Sequence, residues 1–265
     1  MRLKERVAIV TGGGAGIGKA IATAFAGEGA AVVIAGRTVS HLEAACSEIR
    51  SKGGTVVFFQ ADVSKEEDAV RLVAETLRLF NKVDILVNNS GIAGPTVKVM
   101  DMELGKWNET IGINLTGSML CAREVLKHMV PRKSGCIINI VSEAGRAGDG
   151  RAGYPFRSAY CCSKMGQIGL TETLAVEVGE YGIRVNAVSP GPIQGERIFN
   201  VVRKRAEATG VAFDDIMKDL AANNSLKRLA TEAETAAVVL FLASDEASGV
   251  TGQIVPVSCG QHITF

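Results

Sequence analysis

The chain has 265 residues, and its 29 basic and 28 acidic side chains leave a formal net charge of +1, which gives no footing for nucleic acid or an anionic membrane surface. Hydrophobic residues make up 47% of it, ample for a sizeable core, while aromatics are only 5% and glycines number 30. That mixture points to an α/β interior built on Ala, Val, Ile and Gly rather than to a β-sandwich, and the length fits one domain over 1–265.

In chain order, the apolar run Val7–Val10 flows straight into glycines, so it reads as a buried first strand rather than a secretory leader. The loop Thr11–Gly18 follows, then a helix pattern through Ala20, Ile21, Ala24 and Phe25. Further strands are expected at Ala31–Ala35, Thr55–Gln60, Ile85–Asn88, Cys136–Val141, Arg184–Val188 and near Gln253–Val257. These runs are nearly continuous in Val and Ile, as parallel strands covered on both faces should be. Ser64 with Glu67 has capping-box spacing for a helix reaching Phe80, and Thr231 with Glu234 repeats it before Ala236–Leu242. Strand–helix alternation implies right-handed crossovers and a doubly wound parallel sheet flanked by helices. Two stretches break the rhythm, 143–158, rich in Gly and Arg, and a partly helical excursion over about 192–227 that reads as a substrate lid.

No segment nears the roughly 20 apolar residues of a membrane helix. Six cysteines (46, 121, 136, 161, 162, 259) and three histidines (His41, His128, His262) form no metal-binding pattern, so reduced thiols in a cytoplasmic protein and no metal site are expected.

The stretch Thr11-Gly12-Gly13-Gly14-Ala15-Gly16-Ile17-Gly18 joins a strand to a helix. Its glycines permit a tight turn and close approach of backbone to a pyrophosphate, and the helix start offers amide donors and a favourable dipole. The second strand ends in Ala35-Gly36-Arg37-Thr38, without the acidic residue that would hold NAD ribose hydroxyls. Gly36 leaves space and Arg37 supplies a guanidinium suited to a 2′-phosphate, so NADP(H) is the expected cofactor.

These residues resemble the classical short-chain dehydrogenase/reductase family from about Lys4 to Gly260. The likeness rests on TGGGAGIG at 11–18, Asp62-Val63, NNSG at 88–91, Asn114, Ser142, Tyr160-Cys161-Cys162-Ser163-Lys164 and Pro190-Gly191. The resemblance implies adenine contacts from Asp62 and Val63, a supporting role for Asn88, cofactor contacts at Asn89 and Gly91, and a nicotinamide site along Pro190, Gly191 and Ile193. Ser90 stands where the family usually has Ala, and Gly195 where it often has Thr, which removes one side-chain contact to the cofactor. Members are commonly dimers or tetramers built on helices that correspond to Leu104–Val130 and Tyr160–Tyr181. The small residues Gly166, Gly169, Ala175 and Gly179 would permit close packing there, and core packing would explain them equally.

A ketone that gains hydride becomes an alkoxide, so the site needs a positioned acid, and free Tyr, with a pKa of about 10, is a poor one near neutrality. Lys164 lies one helical turn from Tyr160, where its charge would favour the phenolate. Tyr160 is therefore the expected acid/base, with Ser142 bonding the substrate oxygen. The family likeness adds that Lys164 holds the nicotinamide ribose and that Asn114 links Lys164 to a water chain. Tyr154 has Ser158 rather than Lys four residues on, so it reads as a pocket or packing residue.

Ser142 and Tyr160 are 18 positions apart, against roughly a dozen intervening residues in the family. The surplus brings Arg146, Arg151 and Arg157 to the pocket mouth, and the excursion adds Arg197, Arg203, Lys204 and Arg205. Such a rim suits a carboxylate, sulfonate or phosphate on a small-molecule carbonyl or alcohol substrate, and solvated charge or subunit contacts account for it as well. Two other functions compete. Enoyl reductases of this fold usually separate Tyr and Lys by more than three residues, while dienoyl-CoA-type reductases need no complete Ser/Tyr/Lys set. A nucleotide-sensing protein without turnover would have little reason to keep that set.

Overall fold

The computed structural model describes residues 1–145, 155–222 and 224–261. Nine strands and nine α-helices run through these residues. The strands are β1 (Val7–Thr11), β2 (Ala31–Gly36), β3 (Thr55–Gln60), β4 (Ile85–Asn88), β5 (Gly135–Ile140), β6 (Ile183–Pro190), β7 (Ile193–Gln194), β8 (Ala230–Thr231) and β9 (Ile254–Val257). The helices are α1 (Gly16–Gly27), α2 (Val39–Ser51), α3 (Glu66–Phe80), α4 (Leu104–Ile111), α5 (Gly117–Arg132), α6 (Ser158–Val178), α7 (Glu196–Thr209), α8 (Phe213–Ala222) and α9 (Glu232–Ala243). Seven strands form one parallel sheet in the order β3-β2-β1-β4-β5-β6-β9, the doubly wound arrangement expected from the sequence.

Period-two alternation sends side chains to two cores. Ala8, Val10, Val32 and Ile34 pack on one face with Ile21 and Phe25 of α1 and Val239 of α9. Ile9, Val33 and Ala35 pack on the other with Leu72 of α3 and Val125 of α5. Both faces are covered, which is why the strands read as unbroken apolar runs. A fully buried Phe25 or Ile9 contributes roughly 1.5–3 kcal/mol of transfer free energy.

The two capping boxes part company. Thr231 accepts from the Glu234 amide, and the Glu234 carboxylate accepts from the Thr231 amide, closing the box over α9. Ser64 and Glu67 form none. Asp62 captures Ser64 instead, accepting from its hydroxyl at 2.7 Å and its amide at 3.1 Å, and α3 starts after Lys65 with no side-chain cap. The Lys65 amide donates to the Asp62 carbonyl, and this turn leaves Lys65 rather than Ser64 at the N-cap position.

The stretch expected as one helix over Leu104–Val130 is interrupted. A π-helical segment at Gly112–Thr116 separates α4 from α5. Likewise α6 ends at Val178 and continues as a short 3-10 turn through Tyr181. The excursion after β6 folds as a helical pair, α7 and α8, joined by edge-to-face contact of Phe199 and Phe213 with centroids 6.1 Å apart. Its root is tied down by β7 pairing with β8 and by Ser225 and Leu226 amides donating to Gly260 and Cys259 carbonyls.

Candidate active site

Strands β1 and β4 lie side by side, while α1, which follows β1, and α5, which lies on the connection from β4 to β5, cover opposite faces. The chain parts at their carboxyl ends, opening the crevice where such sheets bind ligands. From β1 comes the glycine loop. Gly12 and Gly16 have φ of +66° and +56°, a left-handed backbone that glycine adopts without strain. The Gly12 amide donates to the Ala35 carbonyl at 2.7 Å, folding the loop back onto β2. A Cβ on Gly18 would lie under 3.0 Å from the Gly12 carbonyl oxygen and Asn89 Nδ2, so α1 approaches the loop as closely as a backbone can. Ala15 is the N-cap of α1 and offers no side-chain cap, so the amides of Gly16, Ile17 and Gly18 await another acceptor. That cradle, with Gly14 pressed 3.2 Å from the His41 backbone if it bore a Cβ, fits a pyrophosphate.

Asn89 braces this loop. Its Nδ2 donates to the Thr11 carbonyl at 2.9 Å and the Gly12 carbonyl at 3.2 Å. Thr11, which sequence reasoning passed over, accepts from the Asn89 and Ser90 amides through one hydroxyl oxygen. Its place at the last position of the first strand, just before the glycines, is the signal that could have found it. Asp62 is held by its own turn, and Val63 buries its side chain against Gly117. Arg37 is exposed, its carbonyl accepts from Gln60, and its guanidinium has no ion pair among the described residues. A Cβ on Gly36 would meet only Leu42, at 3.5 Å, so the turn beside Arg37 is open.

Tyr160 and Lys164 stand one turn apart on α6, with Lys164 Nζ 5.9 Å from the Tyr160 ring centroid. Lys164 is only 4% exposed. Its ammonium donates to the Ile140 carbonyl at 2.8 Å and to Gln167 Oε1 at 2.7 Å. Gln167 Nε2 donates to Ser118 Oγ, which donates to the Asn114 carbonyl. Asn114 Nδ2 donates to Ser163 Oγ, which donates to the Tyr160 carbonyl. A chain of hydrogen bonds thus runs from Lys164 through Asn114 to the Tyr160 backbone carbonyl, and holds these residues in a fixed arrangement. Asn114 lies inside the π-helical segment, and the extra residue in that turn places it there. Its Oδ1 accepts from the Ile92 amide at 2.8 Å. A Cβ on Gly91 would meet that oxygen at 3.3 Å and Lys164 Nζ at 3.6 Å, so glycine keeps the space between them clear. Gln167 was not anticipated, although its i,i+3 spacing from Lys164 was visible. Asn88 supports the same wall, donating to Asn139 Oδ1 and the Ser118 carbonyl.

Ser142 follows β5 and its Oγ accepts from the Ala144 amide at 3.2 Å. Pro190 ends β6, and the Gly191 amide donates to the Val257 carbonyl. A Cβ on Gly191 would collide with Ser258 and with Gln261 Oε1 at 2.8 Å, while Ile193 opens β7. Of the expected cationic rim, Arg157 reaches the site. Its guanidinium carbon is 5.4 Å from the Tyr160 centroid and its Nη1 donates to Thr96 Oγ1. Arg203 instead turns to its own helix, bonding Asn200 and lying 3.6 Å from Glu196. Arg146, Arg151, Tyr154 and His262 lie outside the described residues, as do the side chains of Arg197, Lys204 and Arg205. Among the described residues no group of His, Cys, Asp or Glu could hold a metal, and no helix is long and apolar enough to cross a membrane. Burial pushes the Cys121 thiol up to about 12 and that of Cys136 to about 11, which leaves both inert.

Comparison with known proteins agrees with this geometry. A family model described as enoyl-(acyl carrier protein) reductase matches residues 12–262. The 3-oxoacyl-[acyl-carrier-protein] reductase of Staphylococcus epidermidis is 36% identical, over 98% of this chain and 100% of its own. The chain belongs to the short-chain dehydrogenase/reductase family. Two solved members of similar fold differ in the cofactor named with them. A xylitol dehydrogenase bound to NAD+ has a TM-score of 0.90 and 31% identity, covering 98% of this chain and 100% of its own. An actinorhodin polyketide ketoreductase with NADPH has a TM-score of 0.91 and 30% identity, covering 98% of both chains. This short-chain dehydrogenase/reductase is accordingly an NAD(P)-dependent oxidoreductase.

Proposed function

We propose that this enzyme interconverts a carbonyl and a secondary alcohol with NADP(H), using Tyr160 as acid/base. The observation that carries the reading is the fixed Tyr160–Lys164 pair on α6, joined to Asn114 by a chain of hydrogen bonds. A dinucleotide held by Gly12 to Gly18 supplies or accepts the hydride when bound. Tyr160 gives its phenolic proton to the substrate oxygen in reduction and takes it back in oxidation. Lys164 favours the phenolate by charge, and Ser142 Oγ donates to the substrate oxygen as charge develops on it. Asn114 holds the π-helical turn and Lys164 in register, with Gly91 leaving the space a water chain needs. Ile193 and Gly191 border the nicotinamide, and Asp62 and Val63 the adenine.

The uncommitted guanidinium of Arg37 beside open Gly36 supports NADP(H) over NAD(H). Arg37→Ala is expected to raise KM for NADPH roughly tenfold or more while leaving that for NADH within about twofold. Paired kcat/KM measurements decide it, and an NADH preference untouched by the substitution would reverse the assignment.

The description of the matching family model favours one second reading, reduction of a carbon–carbon double bond. The three-residue gap between Tyr160 and Lys164 weighs against it. Following loss of reduced-nicotinamide absorbance against paired ketones and enones separates the two, and turnover of enones alone would overturn the carbonyl reading. Arg157 at the Tyr160 ring supports a substrate bearing an anionic group, with the 192–227 excursion as its lid over a single domain. The chain also reads as a cytoplasmic homo-oligomer, a dimer or tetramer. Met119, Leu126, Val130, Leu170 and Leu174 line an apolar groove along α5 and α6. Gly166 is explained by Leu115 pressing on it, whereas Gly169 and Gly179 face open space.

A further inference from the structure

Glu232 opens α9, half-buried, and its carboxylate has no hydrogen-bond or ion-pair partner among the described residues. Its neighbour Glu234 is fully committed. The Arg228 guanidinium and the Thr231 amide hold that carboxyl down at about 2. Glu232 is instead turned into the cofactor crevice. Its Oε1 lies 2.8 Å from where a Cβ of Gly195 would stand and 3.6 Å from where a Cβ of Gly16 would stand. Gly16 is the first residue of α1 and Gly195 the N-cap of α7, and neither helix has a side-chain cap. The pairing of Gln194 with Thr231 sets Gly195 and Glu232 side by side. A carboxylate is therefore lodged between two helix amino ends whose partial positive charge favours an anion.

We propose that Glu232 is a resident counter-anion of the pyrophosphate site, which a dinucleotide must displace in order to bind. The inference rests on the glycine loop's being that site. Driving this carboxylate off the two helix amino ends, as its repulsion by an arriving pyrophosphate requires, raises the free energy of the bound state. Glu232 thus weakens dinucleotide affinity and speeds release. Gly195 is its necessary companion, since any side chain there would strike Oε1.

The test is calorimetric titration of the wild-type chain and the near-isosteric Glu232→Gln with NADP+, NAD+ and adenosine 2′-monophosphate. The variant is expected to bind both dinucleotides about tenfold more tightly, with correspondingly slower release in stopped flow. Adenosine 2′-monophosphate, which lacks the pyrophosphate, is expected to bind the two proteins equally. Gly195→Ala evicts the same carboxylate from the other side, and the extended backbone at φ 166° accepts it, so the same tightening is expected. Unchanged dinucleotide affinity in both variants overturns the proposal, and weaker binding by Glu232→Gln makes Glu232 a cofactor ligand instead. Equal tightening of all three ligands would reduce the effect to net charge and also overturn it. If the wild-type chain binds neither dinucleotide, the cofactor reading itself falls, an outcome distinct from equal affinities.

Discussion

Tyr160→Phe is expected to lower kcat about 10²–10⁴-fold while leaving the dinucleotide Kd within about twofold. The substitution removes one oxygen and nothing else. The Tyr160 backbone carbonyl still accepts from Ser163, and Ser163 still accepts from Asn114, so the hydrogen bonds that fix α6 against the π-helical turn persist. Lys164 keeps its bonds to the Ile140 carbonyl and Gln167. What is lost is the group that can exchange a proton with the substrate oxygen. Steady-state turnover and cofactor titration on the same preparation separate chemistry from binding. A variant that turns over at the wild-type rate would remove Tyr160 from the mechanism, and one that loses cofactor affinity to the same degree would make the phenol a binding group.

Gly18→Ala is expected to cost roughly 1–3 kcal/mol of stability, a fall of several degrees in Tm, and to weaken dinucleotide binding more than about tenfold. The added carbon would sit under 3.0 Å from the Gly12 carbonyl carbon and oxygen and from Asn89 Nδ2. Two of those three atoms are backbone and cannot swing aside, so α1 must back away from the loop. The amides at its amino end then move off the anion they would bind. Gly27→Ala, at the far end of the same helix, has nothing within 4 Å and is expected to leave stability unchanged or slightly raised. Thermal melts of the two variants beside NADP+ titrations check the pair. Equal behaviour of Gly18→Ala and Gly27→Ala would mean that the loop is looser than its packing implies.

Most of the sheet was legible because its signals are local. Ala31, Thr55 and Ile85 open strands where the β-branched runs begin, and Asn88 and Val257 close them where those runs stop. Thr231 and Glu234 formed their capping box because three residues of helix bring them together whatever lies around them. Ser64 and Glu67 had the same spacing and formed none, because the turn at Asp62 engages Ser64 and leaves Lys65 at the N-cap position. Spacing proposes a cap, and the turn that leads into the helix decides it.

The site divides along the same line. The amino-acid sequence by itself determined the glycine loop, the absence of an acid after β2 and the one-turn separation of Tyr160 from Lys164, since each depends on neighbours along the chain. Tertiary structure alone decided that Asn114 sits in a π-helical turn facing Gly91, and that Ser118 ties Gln167 of α6 to that turn. It also set Glu232 against Gly195 and Gly16. These contacts join residues tens to hundreds of positions apart. They exist because β4 crosses to lie beside β1 and β8 pairs with β7, arrangements dictated by burial of both sheet faces rather than by any local pattern.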